Sequence, residues 1–330
     1  MKLFKNKTIL VTGGTGSFGH HIVDRLSTEG TAEIRIFSRD EKKQYDMQFE
    51  YQKNKKLRFI VGDVRDKDSL IKASRNVDII FHAAALKQVP SCEYNPYEAV
   101  RTNIEGAQNI IEAALINNVS KVIAISTDKA VEPVNVMGMS KSIQERLFTS
   151  ANLYRDGRKT IFACVRYGNV LGSRGSVIPV FRNQIDSGQN LTLTDREMTR
   201  FILTLNQAID LVFRSVALAR GGEIFVLKIP AHTVLDLAEV MLEESGKKLK
   251  IIETGIRPGE KIHETLVSPS ESIRTVIKDN LFIILPQVNI KETLGFYRIK
   301  KTSMFRFSSD TAERLDKQSL RKLLKSEAWI

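Results

Sequence analysis

The sequence predicts an α/β chain: a Rossmann-type, doubly wound parallel sheet with a smaller C-terminal lobe. Three observations carry that expectation. Short apolar runs alternate with amphipathic helical stretches through roughly the first 170 residues, as in a parallel sheet covered on both faces. A strand–glycine–helix unit opens the chain, with Gly13, Gly16 and Gly19 directly after the apolar run 8–11. Beyond about residue 170 the strict alternation gives way to loops and mixed short elements. The expected units are therefore a nucleotide-binding domain over 1–170, a lobe over 171–290 that mainly covers substrate, and a charged tail over 291–330 with no assigned role.

Bulk properties exclude several classes. The chain has 330 residues, enough for a substantial core. Its 42% hydrophobic and 27% charged residues are ordinary for a soluble globular protein. No apolar run reaches bilayer length, and the N-terminus enters a strand almost at once, so neither an integral membrane span nor a signal peptide is expected. Cys92 and Cys164 lie far apart without metal-ligand companions. A reduced, cytoplasmic setting and no metal site follow. The net charge of +12 suits phosphate-bearing ligands, an acidic partner, a membrane surface or simply a solvated basic face. Lysines and arginines are dispersed without interleaved aromatics, so nucleic-acid binding is not expected.

Each element then has its reason. In the first unit Gly13 permits a tight turn, Gly16 lets a pyrophosphate approach the backbone, and Gly19 lets helix and strand pack. Thr15, Ser17 and Phe18 complete this cradle, and the following helix N-terminus offers N–H groups to phosphates. The second strand, 33–37, ends in Ser38-Arg39-Asp40. An acid there would bind the adenosine ribose and favour NAD, whereas Arg39 beside Ser38 would clamp a 2′-phosphate. The order favours NADP. After the third strand, 57–61, Asp63 and Val64 stand where a carboxylate meets the adenine amine, although Asp63 could equally cap the next helix. The fourth strand, 77–81, runs into His82 and the small residues Ala83, Ala84 and Ala85, which allow a backbone to pass beside the cofactor. His82 reads as a satisfied, partly buried histidine. Lys87 suits either substrate or ribose, or the surface. Residues 96–117 read as one long helix carrying Asn103, whose amide needs a partner: active-site water, cofactor-side backbone or a packing bond.

The fifth strand, 122–125, delivers Thr127, Asp128 and Lys129 to its carboxyl end, the edge that faces the crevice in an open α/β sheet. Met137 and Lys141, four apart on the next helix, share a face. A sixth strand, 160–165, leads into Tyr167 and Asn169. Further on, helices are expected at 177–185, 206–219 and from Gln318, and strands at 191–194 and 223–227.

These motifs resemble the extended short-chain dehydrogenases/reductases over most of the chain, from Thr8 to about Leu285. The runs 126–130, 83–90 and 166–177 look like those of inverting UDP-N-acetylglucosamine 4,6-dehydratases. One departure stands out: the superfamily's Tyr-x-x-x-Lys reads Met137-Gly-Met-Ser-Lys141. A thioether has no proton to exchange. That substitution resembles the capsule and O-antigen branch, the dehydratase/5-epimerases that start UDP-N-acetyl-L-fucosamine synthesis.

The resemblance implies a redox-neutral cycle on UDP-N-acetylglucosamine: oxidation at C4, loss of water across C5 and C6, hydride return to C6 and inversion at C5. It implies Lys129 as base, Asp128 as acid, Thr127 on substrate and Lys141 on the nicotinamide ribose. Burial should lower Lys129 and raise Asp128, as those roles require. It also implies Asn169, Arg174, Ser176, Val177 and Thr194 around the nucleotide sugar. Arg200 and Arg257 are candidates for the phosphates, Glu260 for the uridine ribose. Relatives are often homo-oligomers, which carries over as analogy. The competing readings are a UDP-sugar 4-epimerase and a silent NADP-binding regulator.

Overall fold

The computed structural model describes residues 3–173, 175–288, 290–297 and 303–330. Parallel strands β1 (Thr8–Thr12), β2 (Glu33–Ser38), β3 (Leu57–Val61), β4 (Ile79–His82), β5 (Lys121–Thr127) and β6 (Ile161–Tyr167) form the body of a nine-stranded sheet. Their middles are apolar because helices cover both faces; Ile9, Leu10 and Val11 of β1 are fully buried. The order β6-β5-β4-β1-β2-β3 places β1 beside β4. The chain therefore winds outward in opposite directions from that pair, and a crevice opens at the carboxyl ends. This is the doubly wound sheet expected from the sequence.

The expected division at 170 is not where the sheet ends. Ile224–Leu227 pairs with β6 in parallel, and the hairpin Thr275–Lys278 and Leu281–Ile284 adds two antiparallel strands beyond it. A second, smaller core lies over the cleft and joins Leu171, Ile178, Phe181, Leu193, Leu237 and Met241. Tyr297 and Phe307 of the tail pack in the larger core, while the end of the tail joins the smaller one. Helix Lys317–Ser326 buries Leu320 and Leu324 in it, while Lys317 and Arg321 pair with Glu239 and Glu243 on helix Val234–Ser245.

The stretch read as one helix over 96–117 is helical but not uniform. A π-helical segment, Val100–Glu105, separates Pro96–Ala99 from Gly106–Ile116. Such wide turns recur at functional sites because they re-aim a side chain. Among the described residues no helix is long and apolar enough to cross a membrane.

Candidate active site

One cleft of about 840 Å³ runs along the carboxyl ends of the strands and under the lobe. At its first end, Gly13 takes a φ of +67°, and a Cβ there would lie 2.8 Å from the Ala84 nitrogen. A Cβ on Gly19 would overlap the Gly14 carbonyl. Gly16 differs: its absent Cβ faces the cleft and would meet only the Gly13 oxygen, at 3.3 Å. Gly13 and Gly19 thus serve turn and packing as the spacing predicts, and Gly16 leaves open space on the cleft side. Thr15 and Ser38 share a hydroxyl–hydroxyl bond of 2.9 Å.

Asp40 accepts from the Lys43 nitrogen at 3.0 Å, capping helix Glu41–Glu50, and pairs with the Lys43 ammonium. The Arg39 guanidinium is half-exposed at the rim, 3.9 Å from Asp63. The alternative role for Asp63 is settled: Asp66, accepting from the Ser69 nitrogen at 3.2 Å, caps helix Lys67–Ala73. Asp63 instead faces the cleft, held by Arg65 at 2.6 Å. Burial pushes its carboxyl up, but the hydrogen bonds and charge of Arg65, with Arg39, leave it below the usual carboxylate range.

The acid–base group sits mid-cleft. Thr127 ends β5, and Asp128–Ala130 turns as a short 3₁₀ segment. The Thr127 hydroxyl donates to Asp128 Oδ1 at 2.8 Å and accepts from the Lys129 nitrogen at 3.3 Å. Lys129 Nζ donates to the same Oδ1 at 3.1 Å. Asp128 is fully buried, and its Oδ2 has no hydrogen-bond partner among the described residues. The expected depression of Lys129 is corrected. Burial does lower it, but Asp128 and a second carboxylate, Glu264 at 3.4 Å, outweigh burial and the Arg200 charge, so the ammonium is held above its ordinary value. The sequence reading missed Glu264. Its motif signal was nil, since it reads as one more charge after the turn 257–261.

Helix Val136–Ser150 forms the facing wall, its first turn capped by Asn135, which accepts from the Gly138 nitrogen at 2.7 Å. Met137 is buried against Cys92, Ala99, Leu86 and Val89 and also borders the cleft. One turn later, Lys141 donates to the Ile125 carbonyl at 2.6 Å and to Gln144 at 2.5 Å. Burial pushes it down to about 8. Gly138 lies between them, and a Cβ there would overlap the Lys129 carbonyl oxygen. Helix and strand-end turn therefore touch backbone to backbone.

Two expectations change here. Asn103 does not border the cleft. Its amide donates to the Leu86 carbonyl and Ser140 at 2.9 Å each and accepts from the Leu86 nitrogen at 2.8 Å, so it pins the cofactor-side loop to the helix of Lys141. His82 is fully buried rather than partly so. Nδ1 bonds Thr12 at 2.8 Å, while Nε2 has no partner among the described residues. Burial, aided by Lys141, pushes it down to about 3, and the ring is neutral.

The remaining predicted residues converge. Ser17, Phe18, Val64, Ala83, Ala84, Ala85, Lys87, Tyr167, Asn169, Ser176, Val177, Thr194, Arg200, Arg257 and Glu260 all border the cleft. Arg174 lies outside the described residues. Buried polar atoms of Asn169, Ser176 and Glu260 have no hydrogen-bond partner among the described residues, which suits a polar ligand. Arg200 is a partial exception. Its terminal nitrogens donate to the carbonyls of Thr199, Ile262 and Lys261 at 2.7–2.9 Å, so it acts first as a backbone clamp beside Lys129.

The doubly wound sheet, the glycine cradle and the strand-end cluster define an extended short-chain dehydrogenase/reductase fold, that of nucleotide-sugar epimerases and dehydratases. Residues 9–286 match the family described as polysaccharide biosynthesis protein, and the chain belongs to it. A UDP-glucose 4-epimerase of Rickettsia akari is 44% identical over 99% of this chain and 98% of its own. The X-ray structure of Pen from Bacillus thuringiensis superposes with a TM-score of 0.93 at 41% identity, covering 99% of each chain. DesIV, a dTDP-glucose 4,6-dehydratase from Streptomyces venezuelae solved with NAD and TYD, shares the fold. Its TM-score is 0.70 at 22% identity, over 77% of this chain and 86% of that one.

Proposed function

We propose that the protein is a UDP-N-acetylglucosamine 4,6-dehydratase that inverts C5, giving a UDP-4-keto-6-deoxy-L-hexosamine, with NADP as cofactor. The buried Asp128–Lys129 pair carries the reading. An acid and an amine share a hydrogen bond of 3.1 Å inside the cleft, facing a thioether where the superfamily has a phenol. A bound nicotinamide cofactor supplies hydride acceptance at C4 and hydride return to C6. The residues present fit it: Gly16 leaves room for a pyrophosphate, and Lys141 borders the same cleft. Arg39 at the rim suits a 2′-phosphate, while Asp40 is committed to its cap.

This chain's side chains then handle protons. A 4-ketone acidifies C5, and Lys129 removes that proton. Asp128, a carboxylate at rest, takes the proton released when the C4 hydroxyl becomes a ketone and donates it to the departing C6 hydroxyl, which leaves as water. C5 takes a proton back on its other face. Thr127 orients the sugar, and Arg257 and Glu260 hold the nucleotide. The name of the Rickettsia relative favours a second reading, a UDP-sugar 4-epimerase. Such an enzyme has no need to strip C5, and the buried pair would have no task.

Proton NMR of the purified protein with NADP and UDP-N-acetylglucosamine in deuterated water separates the two. A new C6 methyl with deuterium at C5 is the expected result. A C4 epimer that keeps its C6 hydroxyl would establish the second reading, and no turnover at all would point to a regulator.

A further inference from the structure

Lys129 poses a problem that the neighbouring residues answer. A base must give up its proton before it takes another, yet this ammonium lies between two carboxylates. Asp128 Oδ1 is 3.1 Å away and Glu264 Oε1 3.4 Å. Asp128 has its own task at C6. Glu264 has none assigned, although it borders the cleft, is almost fully buried, and has an Oε2 with no hydrogen-bond partner among the described residues. Its backbone is fixed: its nitrogen donates to Ser309 Oγ at 2.9 Å, and its carbonyl accepts from the Ser309 nitrogen at 2.8 Å. The charges facing Lys129 are Asp128 on its own turn, Glu264 and Lys261 from the segment 257–264, and Arg200 from strand Thr199–Leu203. Lys261 is 3.8 Å from Glu264 and donates to the Val131 carbonyl at 2.7 Å.

We propose that Glu264 holds the Lys129 proton during turnover. One Nζ–H bond breaks and its electron pair stays on nitrogen; an O–H bond forms on Glu264. The ion pair becomes a neutral amine and a neutral acid, with no other reactant. Sugar filling the cleft drives the exchange, because expelling water penalises separated charges. The amine then takes the C5 proton. Glu264 acts through Lys129 and is a positioning residue rather than a catalytic one. The inference rests on the dehydratase reading.

Two variants, Glu264→Gln and Glu264→Asp, test it by solvent deuterium entry at C5 across the neutral pH range. In the native enzyme the internal transfer keeps the rate within about threefold over that range. Glu264→Gln must send the proton to solvent. Its rate falls at least about tenfold at pH 7 and climbs roughly tenfold per pH unit, as for a base that deprotonates to bulk water. Glu264→Asp withdraws the carboxylate by one methylene, which slows exchange about threefold or more and keeps the flat profile. A Glu264→Gln rate within threefold of native, or a uniform loss with the native profile, overturns the proposal. If that variant does not fold, an undiminished rate in Glu264→Asp overturns it. Nitrogen-15 NMR of Lys129 without sugar separates the two ideas. Its titration must move to lower pH in Glu264→Gln, and an unmoved titration overturns this inference whatever product the native enzyme makes. Absence of a dehydrated product with a moved titration overturns the dehydratase reading instead.

Discussion

Replacing Gly138 by alanine tests whether the Asp128–Ala130 turn and the Lys141 helix are set by backbone contact. The added methyl would overlap the Lys129 carbonyl oxygen and stand 3.2 Å from Asn135 Oδ1. The first obstacle is backbone, not a flexible tip, so relief requires helix and turn to part by about 1 Å to reach ordinary contact near 3.5 Å. Alanine gains up to about 1 kcal/mol over glycine inside a helix, and less in a first turn. Overpacking costs about 1–3 kcal/mol. The net loss of stability is therefore small, about 0–2 kcal/mol. Activity suffers more. Lys141 and Met137 are on the helix, Asp128 and Lys129 on the turn, and a misplacement of about 1 Å between such walls costs on the order of 100-fold. Urea denaturation and the rate of 4-keto product formation measure the two effects separately. A variant with turnover within threefold of native would refute the argument that this contact sets the spacing.

Three further outcomes follow from the same geometry. Lys129→Ala should abolish solvent deuterium at C5 of the product while cofactor affinity stays within about threefold, read by NMR and by fluorescence titration; retained deuterium removes Lys129 from the base role. Met137→Tyr should not raise activity by more than about twofold, because the side chain packs among Cys92, Ala99, Leu86 and Val89, where a bulkier phenol displaces its neighbours; a large gain in a steady-state assay would mean the native site is a degraded one. Arg166→Leu should destabilise by about 3–5 kcal/mol, because the buried guanidinium holds Glu145 at 2.6 Å and Glu271 at 2.9 Å. Burial pushes Glu271 up, but Arg166 and Ser268 bring it down to about 2. In the native protein that stabilisation is present above the ordinary glutamate range and is lost as pH falls toward 2. In the variant the unpaired carboxyl rises instead, so its stability should improve as pH drops from 7 toward 5 in urea titrations, and a pH-independent deficit would count against the network.

The motifs that were legible are local ones. The glycine cradle, the Asp128–Lys129 pair and the Met137–Lys141 face are each set by a strand end or a helical turn, and spacing alone brings their members together. What spacing could not give is the partner from far along the chain. Apolar residues at 224–227 and 281–284 announce strands, but nothing local says that they extend the same sheet past β6. Asn103 needed a partner that helical spacing alone could not choose; from the π turn its amide meets the Leu86 backbone and Ser140. Asp63 was ambiguous until Asp66 proved to be the cap.

The protonation of Lys129 is the consequential case. Read from its motif, the lysine has one carboxylate and a low-dielectric setting, and burial should win. The fold adds Glu264 from the other side of the cleft, and two carboxylates at 3.1 and 3.4 Å reverse the sign. A strand-end motif specifies which acid–base groups enter the cleft. Which of them carries the proton beforehand depends on a residue that the same lobe brings down over the cleft, so cleft architecture and acid–base chemistry cannot be assigned to separate halves of this chain.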